Sequence, residues 1–303
     1  MNLLVTGAWS GAKENIDRLT QMGHTVAFLQ QEKEALPCPY AWVEGVICNG
    51  LFLSHPIERF TNLRYIQLTS AGFDRLPMNH VKLHNIEIHN ARGVYSIPMA
   101  EFALCGVLQL LKSSRTFYEN QKLHRWEKQR DLSELQGKEV CIIGCGSVGT
   151  ECAKRFRAFG CNVIGVDLYV RTDENYCTMC ALRDLDEALK TADIIILTLP
   201  LTEETKHLIN SARFAVMKQG ALLVNIARGA VVDADALLAA LKDKLCGAVL
   251  DVFETEPLAE NSPLWDMENV ILTPHNSFVS DGNSSRLYNV IFQNLTNSQS
   301  GKE

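Results

Sequence analysis

The stretch VCIIGCGSVGTECAKRFRAFGCNVIGVD, residues 140–167, decides the fold. A short apolar run ends in Gly144-Cys145-Gly146-Ser147-Val148-Gly149. A segment with helical spacing follows, and a second apolar run stops at Asp167. Strand, tight turn, helix, strand and terminal acid together make the setting in which G-x-G-x-x-G binds a dinucleotide. Gly144 permits the turn, Gly146 lets the backbone approach a pyrophosphate, and Gly149 lets the helix pack closely on the strand. Ser147 and Val148 open that helix, whose N-terminus faces the phosphate charge. Asp167 stands where a carboxylate accepts from the ribose hydroxyls and repels a 2′-phosphate, which predicts NAD rather than NADP. Arg171 is the nearby cation that would work against that preference.

Working outward, the same alternation of short apolar runs with amphipathic segments recurs along the whole chain, which argues for α/β layers and parallel sheets. Strand candidates in the first part are 2–7, 25–30, 45–50, 64–70 and 86–90. In the second part they are 139–144, 162–167, 193–200, 221–227, 247–253 and 270–275. These suffice for two doubly wound sheets. Residues 98–128 read as one long helix, 283–295 as a last helix, and the final NSQSGKE as a frayed tail.

Bulk properties narrow the class. With 303 residues there is room for two domains. Charged residues make up 21% and the net charge is −6, with no block of like charge, so nucleic acid and membrane surfaces gain no support as partners. No apolar run is long enough to span a bilayer, and MNLLVTGAWSG reads as a first strand rather than a signal peptide. Ten scattered cysteines suggest reduced thiols and a cytoplasmic location. Cys177 and Cys180 form a single CxxC without a second ligand pair, so they read as incidental thiols on a loop, and no metal is expected.

Ligands of open α/β sheets bind beyond the carboxyl ends of the strands. There the chain places Arg228-Gly229, then Asp251-Val252-Phe253-Glu254-Thr255-Glu256, then His275. A guanidinium grips a carboxylate through two parallel hydrogen bonds, so Arg228 suits a 2-oxo or 2-hydroxy acid. Hydride addition to a ketone leaves an oxygen needing a proton, which a histidine supplies near neutral pH. Glu256 would orient His275 and favour its charged form. His207, His80, His84 and His89 read as surface or packing residues.

The chain resembles the D-isomer-specific 2-hydroxyacid dehydrogenases. The resemblance rests on LTSAGFD (68–74), PMAEFAL (98–104), GCGSVG (144–149), LPLTEET (199–205), NIARGAVVD (225–233), LDVFETEP (250–257) and LTPHNS (272–277). It implies Arg228, Glu256 and His275 as a catalytic trio and Asp251 as the holder of the nicotinamide carboxamide. It adds Leu199, Pro200, Thr205 and Ala227 to the NAD site, and puts the substrate carboxylate on Ser70-Ala71-Gly72 together with Arg228. The implied fold is a flavodoxin-like substrate domain, 1–93 plus 276–303, with a Rossmann NAD-binding domain, 94–275, inserted into it. A homodimer through the NAD domain is implied as well. The loop Cys48-Asn49-Gly50-Leu51-Phe52 lacks the cation that phosphate-handling relatives tend to carry there. That points to a non-phosphorylated substrate, with Leu51 and Phe52 lining an apolar pocket. Related corepressors carry the same trio, which leaves an NAD(H)-sensing regulator as the alternative.

Overall fold

The computed structural model describes residues 1–301 and divides into two compact units, Met1–Tyr95 with Ser280–Glu303, and Ser96–Val279. The boundaries fall at 95/96 and 279/280, two and four residues beyond those expected from the sequence.

Unit 1 contains β1 (Asn2–Thr6), α1 (Ile16–Gln21), β2 (Thr25–Leu29), β3 (Gly45–Cys48), β4 (Tyr65–Leu68), α2 (Met78–Leu83) and β5 (Glu87–His89). The five strands are parallel in the order β2-β1-β3-β4-β5, the flavodoxin-like winding. Successive side chains of a strand point to opposite faces, so Leu4 joins one apolar cluster while Leu3 and Val5 join the other. The second cluster is covered by the chain's return as the last helix, whose Leu287, Ile291 and Leu295 repeat every four residues and are buried. That helix runs to Ser300, so most of the supposed tail is helical; Lys302 and Glu303 lie outside the described residues.

Unit 2 begins with α3 (Ser96–Leu111) and α4 (Ser114–Lys122). The single long helix expected over 98–128 is interrupted because Ser113 is left-handed, with φ 49°. Leu111 O also turns from the helix to accept Ser133 N at 3.2 Å. Beyond Lys122 the charged stretch has no apolar period to sustain a helix.

The doubly wound core follows as β6 (Glu139–Ile143), α5 (Ser147–Ala158), β7 (Asn162–Asp167), β8 (Thr178–Ala181), α6 (Leu185–Thr191), β9 (Ile194–Leu197), α7 (Ser211–Val216), β10 (Ala221–Asn225), α8 (Ala234–Asp243), β11 (Leu245–Leu250) and β12 (Val270–Leu272). All seven strands are parallel in the order β12-β11-β10-β9-β6-β7-β8. The switch point lies between β6 and β9. Gly106 of α3 is required by packing, since a Cβ there would stand 2.6 Å from Val249 Cγ1 of β11. The segment holding Cys177 and Cys180 is not a free loop: β8 is the sheet's edge strand, and Cys180 is paired in register with Val166. The last helix, Asn283–Ser300, is α9. Among the described residues no helix is long and apolar enough to cross a membrane.

Candidate active site

Each glycine of the loop after β6 has a separate reason to be glycine. Gly144 has φ +94°, and a Cβ there would lie 2.6 Å from Leu199 N at the end of β9. A Cβ on Gly149 would lie 2.2 Å from Gly144 O, so helix and turn touch through backbone alone. A Cβ on Gly146 would meet nothing within 4 Å. The loop is therefore open on the side where α5 begins. No side chain caps that helix, so the first N–H groups, from Ser147 to Gly149, lack helical acceptors and point at the opening. This cradle fits a pyrophosphate.

Asp167 ends β7, and its carboxylate shapes the same loop. Oδ2 accepts from Cys145 N at 2.6 Å and Oδ1 from Tyr169 N at 3.2 Å. Arg171 Nη2 donates to Cys145 O at 2.6 Å and sits 3.3 Å from Asp173 Oδ2. Burial pushes the Cys145 thiol up to about 11, which leaves it an inert packing group. Beyond β9, Leu199 is buried, and Thr205 Oγ1 donates to Pro200 O (2.8 Å) while accepting from Thr202 N (2.7 Å). The Thr205 hydroxyl thus ties its own turn together.

The three residues expected to carry the chemistry lie beyond the ends of three neighbouring strands, β10, β11 and β12. Asn225 closes β10, buried, with Oδ1 accepting from Ala227 N (3.1 Å) and Nδ2 donating to Arg228 O (3.1 Å). Such a side-chain-to-backbone turn sets the path of Ala227 and Arg228. The Arg228 guanidinium is half-buried and donates to Ala227 O at 2.8 Å. Gly229 follows because a Cβ there would fall 1.8 Å from the Phe253 carbonyl carbon. The Arg228 turn and the 253–254 loop are therefore in backbone contact.

Asp251 follows β11 directly, with none of its surface exposed. Its Oδ1 accepts from Thr273 Oγ1 and Asn276 N, each at 2.7 Å, and its Oδ2 from Ser277 N at 2.9 Å. Its amide donates to Asn225 O at 3.0 Å and its carbonyl accepts His275 N at 2.8 Å. A buried carboxylate needs such donors, and here they come from the segment that carries the histidine. Asp251 therefore fixes the loop around His275, a role that motif reading alone did not reveal.

His275 is left-handed, with φ 52°. Its Nδ1 lies 2.8 Å from Glu256 Oε2, and Glu256 Oε1 accepts from Phe253 N at 3.0 Å. A carboxylate only accepts, so the shared proton sits on Nδ1 and Nε2 is left for a reacting oxygen. Phe278 meets the imidazole edge-on, at 6.1 Å between centroids. The three expected residues are thus gathered at adjacent strand ends, with Asn225 and Asp251 fixing the turns that carry Arg228 and His275. A second pair was unforeseen: His207, read as a surface or packing residue, has its Nε2 3.2 Å from Glu254 Oε1.

In unit 1 the turn Ser70-Ala71-Gly72 follows β4. All three of its carbonyls are satisfied from within: Ala91 N reaches Ser70 O, Asn90 Nδ2 reaches Ala71 O, and Ser70 Oγ reaches Gly72 O. Its N–H groups are the part of the turn available to an anion. Of the two residues expected to line an apolar pocket, Leu51 does not, and Phe52 is only partly buried. Leu51 is wholly buried in the unit 1 core, and Phe52 packs against that core, edge-on to Phe60 at 5.7 Å. A short turn carries Leu51 inward, which a sequence pattern of two apolar residues does not distinguish from pocket lining.

A seven-stranded doubly wound sheet and an open glycine cradle with an acid after its second strand define the class: a dinucleotide-binding α/β protein, here with an Arg/Glu–His set at strand ends. The chain belongs to the D-isomer specific 2-hydroxyacid dehydrogenase family, since residues 104–277 match the family's NAD binding domain. It is 38% identical to glyoxylate reductase from Thermofilum pendens over 71% of this chain and 65% of that one. Against archaeal D-3-phosphoglycerate dehydrogenases the match spans 42% of their length. Among solved structures it resembles D-lactate dehydrogenase from Aquifex aeolicus complexed with NAD and lactic acid. That chain is 27% identical, with a TM-score of 0.79 and coverage of 99% and 96%. A family member from Xanthobacter autotrophicus Py2, complexed with NADPH and MES, is 28% identical, with a TM-score of 0.82 and coverage of 100% and 96%.

Proposed function

We propose that this protein interconverts a small, non-phosphorylated 2-oxo acid and its D-2-hydroxy acid with NAD(H). The observation that carries the reading is the His275–Glu256 pair at 2.8 Å, set one strand from the Arg228 turn. Bound NADH supplies the hydride. Arg228 anchors the carboxylate and polarises the ketone, while His275 Nε2 delivers the proton to the oxygen. Glu256 holds the ring and balances its positive charge. In the oxidative direction the same nitrogen takes the proton back. Reduction consumes a proton at Nε2 and oxidation releases one, so the two directions should respond oppositely to pH; flat profiles in both directions, with chemistry limiting, count against His275 as the acid.

Asp167 supports NAD over NADP, tested by the ratio of kcat/KM for the two cofactors; equal use overturns the preference. The names of the relatives, glyoxylate reductase and D-lactate dehydrogenase, favour turnover over a purely regulatory role. Free cysteines throughout the chain support a reducing, cytoplasmic setting. A homodimer through unit 2 is supported by Phe117, Tyr118, Leu123, Trp126 and Leu132, all exposed on α4 and the segment after it, with Trp126 95% exposed; light scattering tests it. The deciding assay is NADH oxidation against glyoxylate, pyruvate, hydroxypyruvate, 3-phosphohydroxypyruvate, 2-oxoisocaproate and phenylpyruvate, beside a His275→Ala control. Tight NADH binding with no turnover on any of them overturns the enzymatic reading.

A further inference from the structure

Unit 1 has a switch point of its own. In the order β2-β1-β3-β4-β5 the winding reverses between β1 and β3, and the crevice outside their carboxyl ends is where an open parallel sheet takes a ligand. That crevice holds the side chain of Glu32. Its Oε1 accepts from Thr6 Oγ1, the last residue of β1, at 2.8 Å and from Asn49 N at 2.6 Å. Its Oε2 accepts from Gly50 N, also at 2.6 Å. Two successive backbone N–H groups aimed at the two oxygens of one carboxylate form a concavity of the kind that holds a ligand's anionic group. Here the anion is supplied by the chain itself.

This built-in anion lies beside the turn that offers N–H groups to a substrate carboxylate. Strand β3 pairs with β4, Cys48 opposite Leu68, and Thr69 N donates to Cys48 O at 2.9 Å. The Asn49-Gly50 step and the Ser70-Ala71-Gly72 turn therefore leave adjacent strand ends, which lie about one strand spacing, ~4.8 Å, apart. A 2-oxo acid held there by its carboxylate has its tail within reach of Glu32. Asn49 Oδ1 is a second buried acceptor at this edge, with no hydrogen-bond partner. The Arg75 stem flanks the same spot: a Cβ built on Gly50 lies 3.5 Å from Glu32 Oε2 and 3.6 Å from Arg75 Cδ.

We propose that Glu32 determines specificity for the substrate tail, filling the anion hole at the ends of β1 and β3 and thereby rejecting 2-oxo acids whose tail carries a negative charge. The inference rests on the 2-oxo acid reading above. With the charge removed, the Asn49 and Gly50 amides and Arg75 would make the hole receptive to an anion.

Two substitutions separate charge from shape. Glu32→Gln keeps the size but removes the charge and leaves one N–H facing an amide NH2. Glu32→Asp keeps the charge. The readouts are kcat/KM for pyruvate and for 3-phosphohydroxypyruvate, and the Tm shift produced by inorganic phosphate. The expected result is that Glu32→Gln raises the anionic-to-neutral ratio by roughly ten- to a hundredfold, chiefly through KM. Glu32→Asp should hold the wild-type ratio, and phosphate should raise the Tm of the Gln variant but not of wild type. An unchanged ratio, or a parallel loss on both substrates without a phosphate response, overturns the proposal. So does wild-type protein that prefers the phosphorylated acid, a result that needs no variant to fold. If wild type turns over none of the six acids named above, the dehydrogenase reading fails separately and the phosphate comparison alone decides the role of Glu32.

Discussion

The two sheets treat their switch points in opposite ways. At the ends of β6 and β9, the position beside Gly146 is empty and the first N–H groups of α5 have no cap. At the ends of β1 and β3, two N–H groups equally suited to an anion are closed by Glu32 at 2.6 Å each. Both are switch points of parallel sheets, so a switch point alone does not make a binding site. What makes one is the donors left unsatisfied by the chain, because a buried N–H without an acceptor is costly and a ligand that supplies the acceptor is correspondingly favoured.

The contrast can be broken at the reacting end first. His275→Ala should lower kcat for reduction by roughly a hundred- to ten-thousandfold, the usual weight of a general acid, while NADH still binds. A smaller loss in single-turnover rate would move the proton donor elsewhere. Glu256→Gln removes a charge-assisted hydrogen bond of about 1.5–3 kcal/mol. It should cost roughly ten- to a hundredfold in kcat, with KM little changed.

The open cradle is sharpened by two alanines. Gly149→Ala forces a methyl to within 2.2 Å of Gly144 O and should destabilise by about 1–3 kcal/mol, seen by calorimetry as a lower Tm. Gly146→Ala meets no atom of the protein, so its Tm should hold while its NADH affinity, read by fluorescence titration, falls. If both variants behave alike, the distinction between packing and binding glycines is wrong. The smallest effect concerns thiols at the two strand ends. Burial, aided by Glu32, pushes the Cys48 thiol far above its ordinary range, and burial pushes Cys145 up to about 11. Mass spectrometry after mild alkylation should find Cys105 and Cys177 modified first; Cys246 is also exposed, but burial of its thiol pushes its pKa up.

Much of this was legible because parallel strands buried on both faces read as continuous apolar runs. Sequences such as EVCII and IIIL announce themselves. The strand TMCA did not, being short, half-buried and at the sheet edge. The Arg228, Glu256 and His275 set could be proposed because each lies on the loop that leaves a strand. Asn225 and Asp251 could be seen as polar endings of apolar runs, but not the turns they hold. Glu32 was beyond reach: Thr6, Asn49 and Gly50 become its neighbours only once β1 and β3 lie side by side. Leu51 was missed for the same reason, since whether an apolar residue faces a core or a pocket depends on a turn that the sequence does not display.

The positive φ of His275 (52°) bears on how such a chain can change over time. That backbone region is open to histidine, asparagine and aspartate but strained for most other residues. Asparagine is one nucleotide from histidine in the genetic code and keeps the fold's geometry at this position, yet it has no proton to give at neutral pH. A single drift event could therefore leave a chain that folds and holds its dinucleotide without turning anything over. The loss of chemistry would come at almost no structural cost, and a survey of natural variants for asparagine at 275 would find it.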